Sequence, residues 1–524
     1  MNVRELLEKQ AQKYPDKIFL YFEEEKITYQ DFNLTVNRVA NAFKKIGIDK
    51  GDMVAIMLPN SPEFLYTWLG LNKIGAVEVP INISFKETEI KYILQHSEAP
   101  AIVIHQEYYP ILSTIKKDEL PNLRNIIFYG DEGPPPESIS FSTLLEEKSE
   151  LEYFDISEED AAACIYTSGT TDRPKGVLNS HKSWVLTGEA YAYTVGITSE
   201  DRIMTPNPLF HANAQVYSTM GSLAAGASLV LLKRFSSSRI LEQARHYSAT
   251  KMVLVQAVTP WVWNRPRRED DGDTLVKTMV AGNVPAEIYC DFEQRFQLKI
   301  QTIYSLTEAP FAIMGPREGT QPRKSGGIGV PMEHPDPSIK NEVSIIDDTG
   351  AEVSRGKQGE IIIRNPATMI GYFKDTEKTP ETKRDGWIHT GDIGYQDEDG
   401  YLFFVGREKE VIRRRGELIS PLEIESAINS HPSVEESAVI GVPSGLGSGE
   451  EEVKAYVRLK PGETVSPQNI ISWCTGKLAE FKIPHFLEFR EDFPKSAIGR
   501  IQKSMLKQEK HDLILGGYDR VKEG

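Results

Sequence analysis

The apolar positions set out the elements of the chain before any composition is considered. Thr28 and Asp31 form a capping-box pattern, and Phe32, Val36, Val39, Ala40 and Phe43 follow at helical spacing, with Gly47 as the stop. Val54–Leu58 is a continuous apolar run, the pattern of a strand covered on both faces. Glu63–Lys73 reads as a helix and Val77–Ile81 as the next strand. Strand, helix and strand in succession imply a crossover and a parallel α/β sheet. Gly130–Pro136 is a turn-rich surface insertion.

The far end reads as a unit of its own. Ser420 is an N-cap, Pro421 the first helical residue and Glu423 the third, while Ile424, Ala427 and Ile428 supply the apolar stripe. Ala438–Val442 and Val453–Leu459 are strand-like, and Ser466-Pro467 opens another helix. The charged stretch Gly406–Arg415 is the expected join. The predicted organisation is α/β: a large N-terminal domain over 1–409 with parallel-rich sheets and helices, and a small mobile C-terminal α/β domain over 410–524.

A length of 524 residues exceeds one compact core. The formal net charge of −16 argues against a general nucleic-acid binder, which needs a basic face. The most apolar run, Leu223 to Leu232, is about half of the ~20 residues that a spanning helix needs. The N-terminus has no apolar signal core. The expectation is a soluble cytoplasmic protein without membrane insertion. Cys164, Cys290 and Cys474 form no CxxC pair and read as reduced thiols. Nothing in the pattern sets the oligomeric state, so a monomer and a homo-oligomer both stand.

The chemistry enters after the apolar strand Ala161–Ile165. The string Tyr166-Thr-Ser-Gly-Thr-Thr-Asp-Arg-Pro-Lys175-Gly176 combines small hydroxyl residues, a glycine and a cation. Gly169 lets backbone N–H groups approach an anion, the hydroxyls of Thr167, Ser168, Thr170 and Thr171 add donors, and Lys175 adds positive charge. The Lys-Gly order distinguishes it from a Walker loop.

That string resembles the signature loop of the adenylate-forming superfamily, which contains acyl-CoA synthetases, adenylation domains and luciferases. The resemblance runs over nearly the whole chain. It is carried in order by Pro208-Leu-Phe-His211, Tyr304-Ser-Leu-Thr-Glu308, Gly359-Glu-Ile, Trp387-Ile-His-Thr-Gly391-Asp392, Gly406-Arg407-Glu-Lys409-Glu410, Gly416-Glu417, Phe481-Lys-Ile-Pro484 and Gly499-Arg-Ile-Gln-Lys503. It implies a ligase using ATP, Mg²⁺ and CoA, which turns a carboxylate into acyl-AMP and pyrophosphate and then into the CoA thioester.

By the same resemblance, Thr307 contacts the α-phosphate and Glu308 holds Mg²⁺. Asp392 takes the ribose hydroxyls, Arg407 reaches the nucleotide, and Tyr304 stacks on adenine or simply fills the core. His211 gates the acyl pocket or is a core histidine. Gly282, Asn283 and Val284 border that pocket; Trp261 and Trp263 lie near it or in the core. Glu410 is the hinge about which the small domain swings, and Gly416 and Glu417 lie near the pantetheine tunnel. His211 stands where amino-acid adenylation domains carry an aspartate, which argues against an α-amino acid. The stretch from Phe210 to Glu308 is similar to bacterial carnitine/crotonobetaine–CoA ligases, implying a short or medium, polar or carnitine-like acid.

Three positions depart from the pattern. Asp172 replaces a loop glycine, Arg415 replaces the first glycine of Gly-Gly-Glu, and Arg500 stands in place of the C-terminal catalytic lysine, with Lys503 as its alternate. With no carrier domain after Gly524, free CoA is the expected acceptor. The two rival readings are adenylation for a carrier protein and a catalytically impaired nucleotide-binding pseudo-enzyme.

Overall fold

The computed structural model describes residues 1–167, 174–255, 258–282, 284, 286–414, 417–443, 451–475, 477–495, 501–508 and 517–520. Two large sheets dominate. Among the described residues one has nine strands, in the order Val330–Pro331, Ala309–Met314, Lys299–Leu306, Thr278–Ala281, Lys251–Leu254, Arg202–Thr205, Ser228–Leu231, Ile18–Phe22 and Glu25–Thr28. The other has eight, in the order Gly371–Tyr372, Lys175–Ser180, Ala161–Thr167, Val77–Pro80, Met53–Met57, Ala101–His105, Asn125–Tyr129 and Ile139–Ser140. Their central pairings are parallel, as the strand–helix–strand pattern predicts.

Strand alternation explains how the sheets stack. Along Met53–Met57, Val54 and Ile56 face the core between the two sheets, while Met53, Ala55 and Met57 face the outer cluster under the helix Glu87–Ser97. The helices Val3–Lys13, Tyr29–Lys45, Pro62–Lys73 and His181–Val195 contribute to the inner core. Thr28 does cap the helix Tyr29–Lys45 by accepting from the Asp31 N–H, but its hydroxyl also donates to the Asp31 carboxylate, so Asp31 faces the cap side chain. The Leu223–Leu232 run divides at Gly226, whose φ of +68° ends the helix Gly221–Ala225 before the strand Ser228–Leu231 begins.

A third, antiparallel sheet carries Glu342–Ile346, Gln358–Arg364, Trp387–Gln396 and Leu402–Arg407. The small C-terminal domain has its own sheet, Val434–Pro443, Glu451–Leu459, Phe486–Phe489 and Tyr518–Asp519. The helices Pro421–Asn429 and Pro467–Thr475 cover one face through Ile424, Ile428, Ile470 and Cys474. Cys164 and Cys474 are buried thiols, and Cys290 is exposed. No helix among the described residues is long and apolar enough to cross a membrane.

Candidate active site

The site is built around a turn. The antiparallel strands Lys299–Leu306 and Ala309–Met314 are joined by Thr307 and Glu308, so these two residues project from the end of a sheet rather than from its middle. Two neighbours fix the turn through its backbone. Asn179 Nδ2 donates to Thr307 O at 3.1 Å, and the Met369 N–H donates to Glu308 O at 2.8 Å.

Close to Glu308 lies the base of the hairpin formed by the strands of Thr167 and Lys175. Thr167 ends one strand, Lys175 begins the next, and the two are paired across an antiparallel hairpin. Gly176 is required there: a Cβ would come within 2.7 Å of Cys164 Sγ and 3.2 Å of the Tyr166 ring. Ser168, Gly169, Thr170, Thr171 and Asp172 lie outside the described residues. The Lys175 ammonium sits 5.0 Å from the centre of the Tyr372 ring, and the Tyr372 hydroxyl donates to Glu308 Oε1 at 2.8 Å. Tyr372 therefore joins the loop cation to the acid of the turn. Its signal in the sequence is slight, a Gly-Tyr-Phe run with no spacing that marks it.

The carboxylate of Asp392 meets the strand that leads into the turn, at Tyr304. Its strand pairs with Leu402–Arg407 so that Asp392 is directly opposite Arg407. The Tyr304 hydroxyl donates to Asp392 Oδ2 at 2.7 Å, and Arg407 Nε is 3.4 Å from Oδ1. Asp392 is 5% exposed and Arg407 38%, so the acid is held while the guanidinium reaches toward solvent. Burial, reinforced by the Asp392 carboxylate, pushes the Tyr304 hydroxyl well above its usual range, so it stays a donor. Tyr304 is thus more than core filling.

His211 follows a turn, with its N–H donating to Pro208 O at 3.1 Å, and its ring lies 4.7 Å from that of Phe210. Burial lowers its pKa to about 4, so the imidazole is neutral at pH 7, and its Nε2 makes no hydrogen bond among the described residues. The Tyr217 hydroxyl, on the π-helical stretch Ala214–Met220 that follows, donates to Pro310 O at 2.6 Å. That bond brings the His211 segment against the strand that leaves Glu308.

The other expected residues lie on neighbouring elements. Gly282 follows the strand Thr278–Ala281, whose neighbour leads to Tyr304. Val284 is 1% exposed and belongs to the outer-face core with Val262 and Phe292. Asn283 lies outside the described residues. Trp263 stacks on Phe292 with Arg295 over its ring, a packing role, whereas Trp261 is exposed beside Phe235. Glu410 donates its N–H to Arg407 O at 2.8 Å, three residues beyond the guanidinium. Glu417 starts the strand Glu417–Ile419, paired with Ile412–Arg414; Arg415, Gly416 and Arg500 lie outside the described residues. Lys503 is held by Glu425, Nζ to Oε1 at 2.7 Å, with both side chains nearly buried.

The family model for AMP-binding enzymes matches residues 7–373, and that for the AMP-binding enzyme C-terminal domain matches 423–500. The chain belongs to the AMP-binding enzyme family. This AMP-binding enzyme is 34% identical to the crotonobetaine/carnitine–CoA ligase of Salmonella heidelberg (strain SL476) over 521 residues, 97% of this chain and 99% of that one. It is 35% identical to the ligase of that name from Salmonella typhi over 529 residues, with the same coverage. Among solved structures it is similar to the anthranilate CoA ligase AuaEII in complex with anthranoyl-AMP, with a TM-score of 0.88 and 28% identity over 97% of both chains. ATP-bound MatB from Rhodopseudomonas palustris follows at 0.85 and 27%, covering 97% of this chain and 99% of that one.

This AMP-binding enzyme is an AMP-forming acid–CoA ligase that uses ATP, Mg²⁺ and CoA. The donor set fits the metal. Glu308 offers a hard carboxylate oxygen, and no group of three His, Cys, Asp or Glu forms a cage among the described residues. One carboxylate shared with substrate phosphates is the usual environment of Mg²⁺.

Proposed function

We propose that this AMP-binding enzyme activates a short or medium polar acid of the carnitine or crotonobetaine kind. Identity of 34–35% along 97% of the chain to ligases of that name carries the substrate reading. His211 in place of an aspartate argues against an α-amino acid, because no acid stands at that position to pair with its ammonium group.

In the first half-reaction the substrate carboxylate oxygen attacks the α-phosphorus of ATP. A P–O bond forms, the bond to the β-phosphate bridging oxygen breaks, and pyrophosphate leaves with acyl-AMP remaining. Two anions meet in this step, so its barrier depends on groups that screen charge. Lys175 and Thr307 take the phosphates, with the hydroxyls of Thr167, Ser168, Thr170 and Thr171 and the backbone at Gly169. Glu308 would hold Mg²⁺, which neutralises phosphate charge when bound. Asp392 binds the ribose, oriented by Tyr304 and Arg407. The contacts Lys175–Tyr372–Glu308 and Tyr304–Asp392–Arg407, near the Thr307 turn, support these assignments.

In the second half-reaction the CoA thiol, losing its proton, attacks the acyl carbonyl and AMP leaves. The domains divide at 409/410, with Glu410 as the hinge that exchanges the adenylating face for one carrying Gly416 and Glu417. Arg500 supplies the C-terminal cation of adenylation.

A screen of carboxylic acids with ATP and Mg²⁺, with and without CoA, tests the substrate. Pyrophosphate release and thioester formation are expected to be fastest with crotonobetaine or carnitine. Faster turnover of an aromatic or uncharged long-chain acid would overturn this reading. Acyl-AMP that accumulates despite CoA would favour a carrier-protein acceptor.

A further inference from the structure

Glu78 lies in the strand Val77–Pro80 in the interior of the eight-stranded sheet and is fully buried. Ionised carboxylates are seldom buried this way without a cation. The side-chain partner here is an amide. Gln215 Nε2 donates to Glu78 Oε2 at 3.2 Å and to Leu209 O at 2.8 Å. Two acceptors remain, Glu78 Oε1 and Gln215 Oε1, and neither makes a hydrogen bond among the described residues.

A carboxylate beside an amide leaves both oxygens without donors, which is costly in a buried site. One proton resolves both. A Glu78 protonated at Oε1 has a donor to offer the unfilled Gln215 Oε1, while Gln215 Nε2 donates to Glu78 Oε2 and, with its second hydrogen, to Leu209 O. Every donor and acceptor of the two side chains is then used.

We propose that Glu78 and Gln215 form a neutral acid–amide pair that positions the segment from Asn207 to His211 at the acyl pocket. The clause about the pocket rests on the reading of His211 given above. Burial is the dominant influence on Glu78 and moves it well above the usual carboxylate range, with Gln215 opposing. Gln215 sits on the π-helical stretch Ala214–Met220, an element common at functional sites. Asn60 holds the same segment from the other side, accepting from the Leu209 N–H at 2.8 Å and donating to Asn207 O at 3.0 Å. Asn207 in turn donates to Asn213 at 2.7 Å. The chain before His211 is therefore fixed at Asn207 and Leu209, and Gln215 supplies the bond to the Leu209 carbonyl. Glu78 and Gln215 are positioning residues: they act through the Leu209 carbonyl.

Infrared difference spectra between the wild-type enzyme and Glu78→Gln at pH 7 and pH 8.5 test the pair. The expected result is a protonated carboxyl band lost in the variant and unchanged between the two pH values. A carboxylate band in its place would overturn the pair. Steady-state kinetics with crotonobetaine and L-carnitine test the positioning. Glu78→Gln, whose amide can still bond Gln215, is expected to keep the KM for acid within about twofold, whereas Gln215→Leu raises it about tenfold with the KM for ATP nearly unchanged. Equal rises in both KM values would overturn the positioning role. His211→Ala tests the underlying reading separately: an unchanged KM for acid would remove His211 from the pocket, while the infrared band still decides the pair.

Discussion

Lys503 Nζ lies 2.7 Å from Glu425 Oε1, and the same oxygen accepts the Val439 N–H at 2.7 Å. The ammonium is thus tied to the helix Pro421–Asn429 and the strand Val434–Pro443, and Leu506 in its own helix packs among Ala438, Ile440 and Phe493. This arrangement gives Lys503 a structural occupation. Removing one member of a nearly buried ion pair strands the other. Lys503→Met is expected to destabilise the small domain by about 3 kcal/mol, read by denaturant unfolding. Adding Glu425→Gln restores part of the loss. Adenylation per folded enzyme changes little, whereas Arg500→Ala lowers it strongly. The opposite order would return the adenylation role to Lys503.

Tyr304→Phe keeps the ring and removes the bond to Asp392. The carboxylate proposed to bind the ribose then loses this orienting donor, while its contact with Arg407 remains. The expected outcome is a rise of about tenfold in the KM for ATP, with the KM for CoA unchanged, measured in the pyrophosphate-release assay. Loss of kcat with unchanged KM would point to a role in the chemical step instead.

Tyr372→Phe frees Glu308 Oε1 from its hydroxyl partner while leaving an aromatic face for Lys175. A less oriented carboxylate raises the Mg²⁺ concentration needed for half-maximal adenylation by several-fold. Glu308→Ala lowers adenylation itself by on the order of 10²-fold or more, as expected where charge on phosphate must be screened. Magnesium titrations of the two variants separate these effects.

His181 opens the helix His181–Val195, is fully buried, and neither ring nitrogen makes a hydrogen bond among the described residues. Burial lowers its pKa to about 4. The unfolded state therefore binds a proton that the folded state refuses between pH 6.5 and 4. The associated stability is complete above pH 6.5 and is lost as pH falls toward 4, by about 3 kcal/mol at most. Denaturant midpoints over pH 4–7 are expected to fall less steeply in His181→Gln than in the wild type.

The helix beginning near Thr28 and the strands near Val54 and Val77 were legible because burial imposes a period on a continuous segment, and the observed Tyr29–Lys45, Met53–Met57 and Val77–Pro80 agree within a residue or two. Tyr372, Glu78 and Gln215 were not legible. Their meaning depends on partners 64 and 137 residues away, Glu308 for the first and each other for the last two. Between the two places the sequence left open for Trp263, the ring contacts with Phe292 and Arg295 favour the core.

The sequence by itself supplied an ordered set of motifs whose resemblance implies phosphate, ribose and metal roles for particular hydroxyls, a lysine and carboxylates. It also determined the parallel α/β character and the small C-terminal unit. Only the tertiary structure decided which groups meet: that Tyr304 serves Asp392, that Tyr372 joins Lys175 to Glu308, and that Lys503 is held by Glu425. The physical reason is that hydrogen bonds and ion pairs act over a few ångströms, and the distances that matter here are set by sheet register between distant strands.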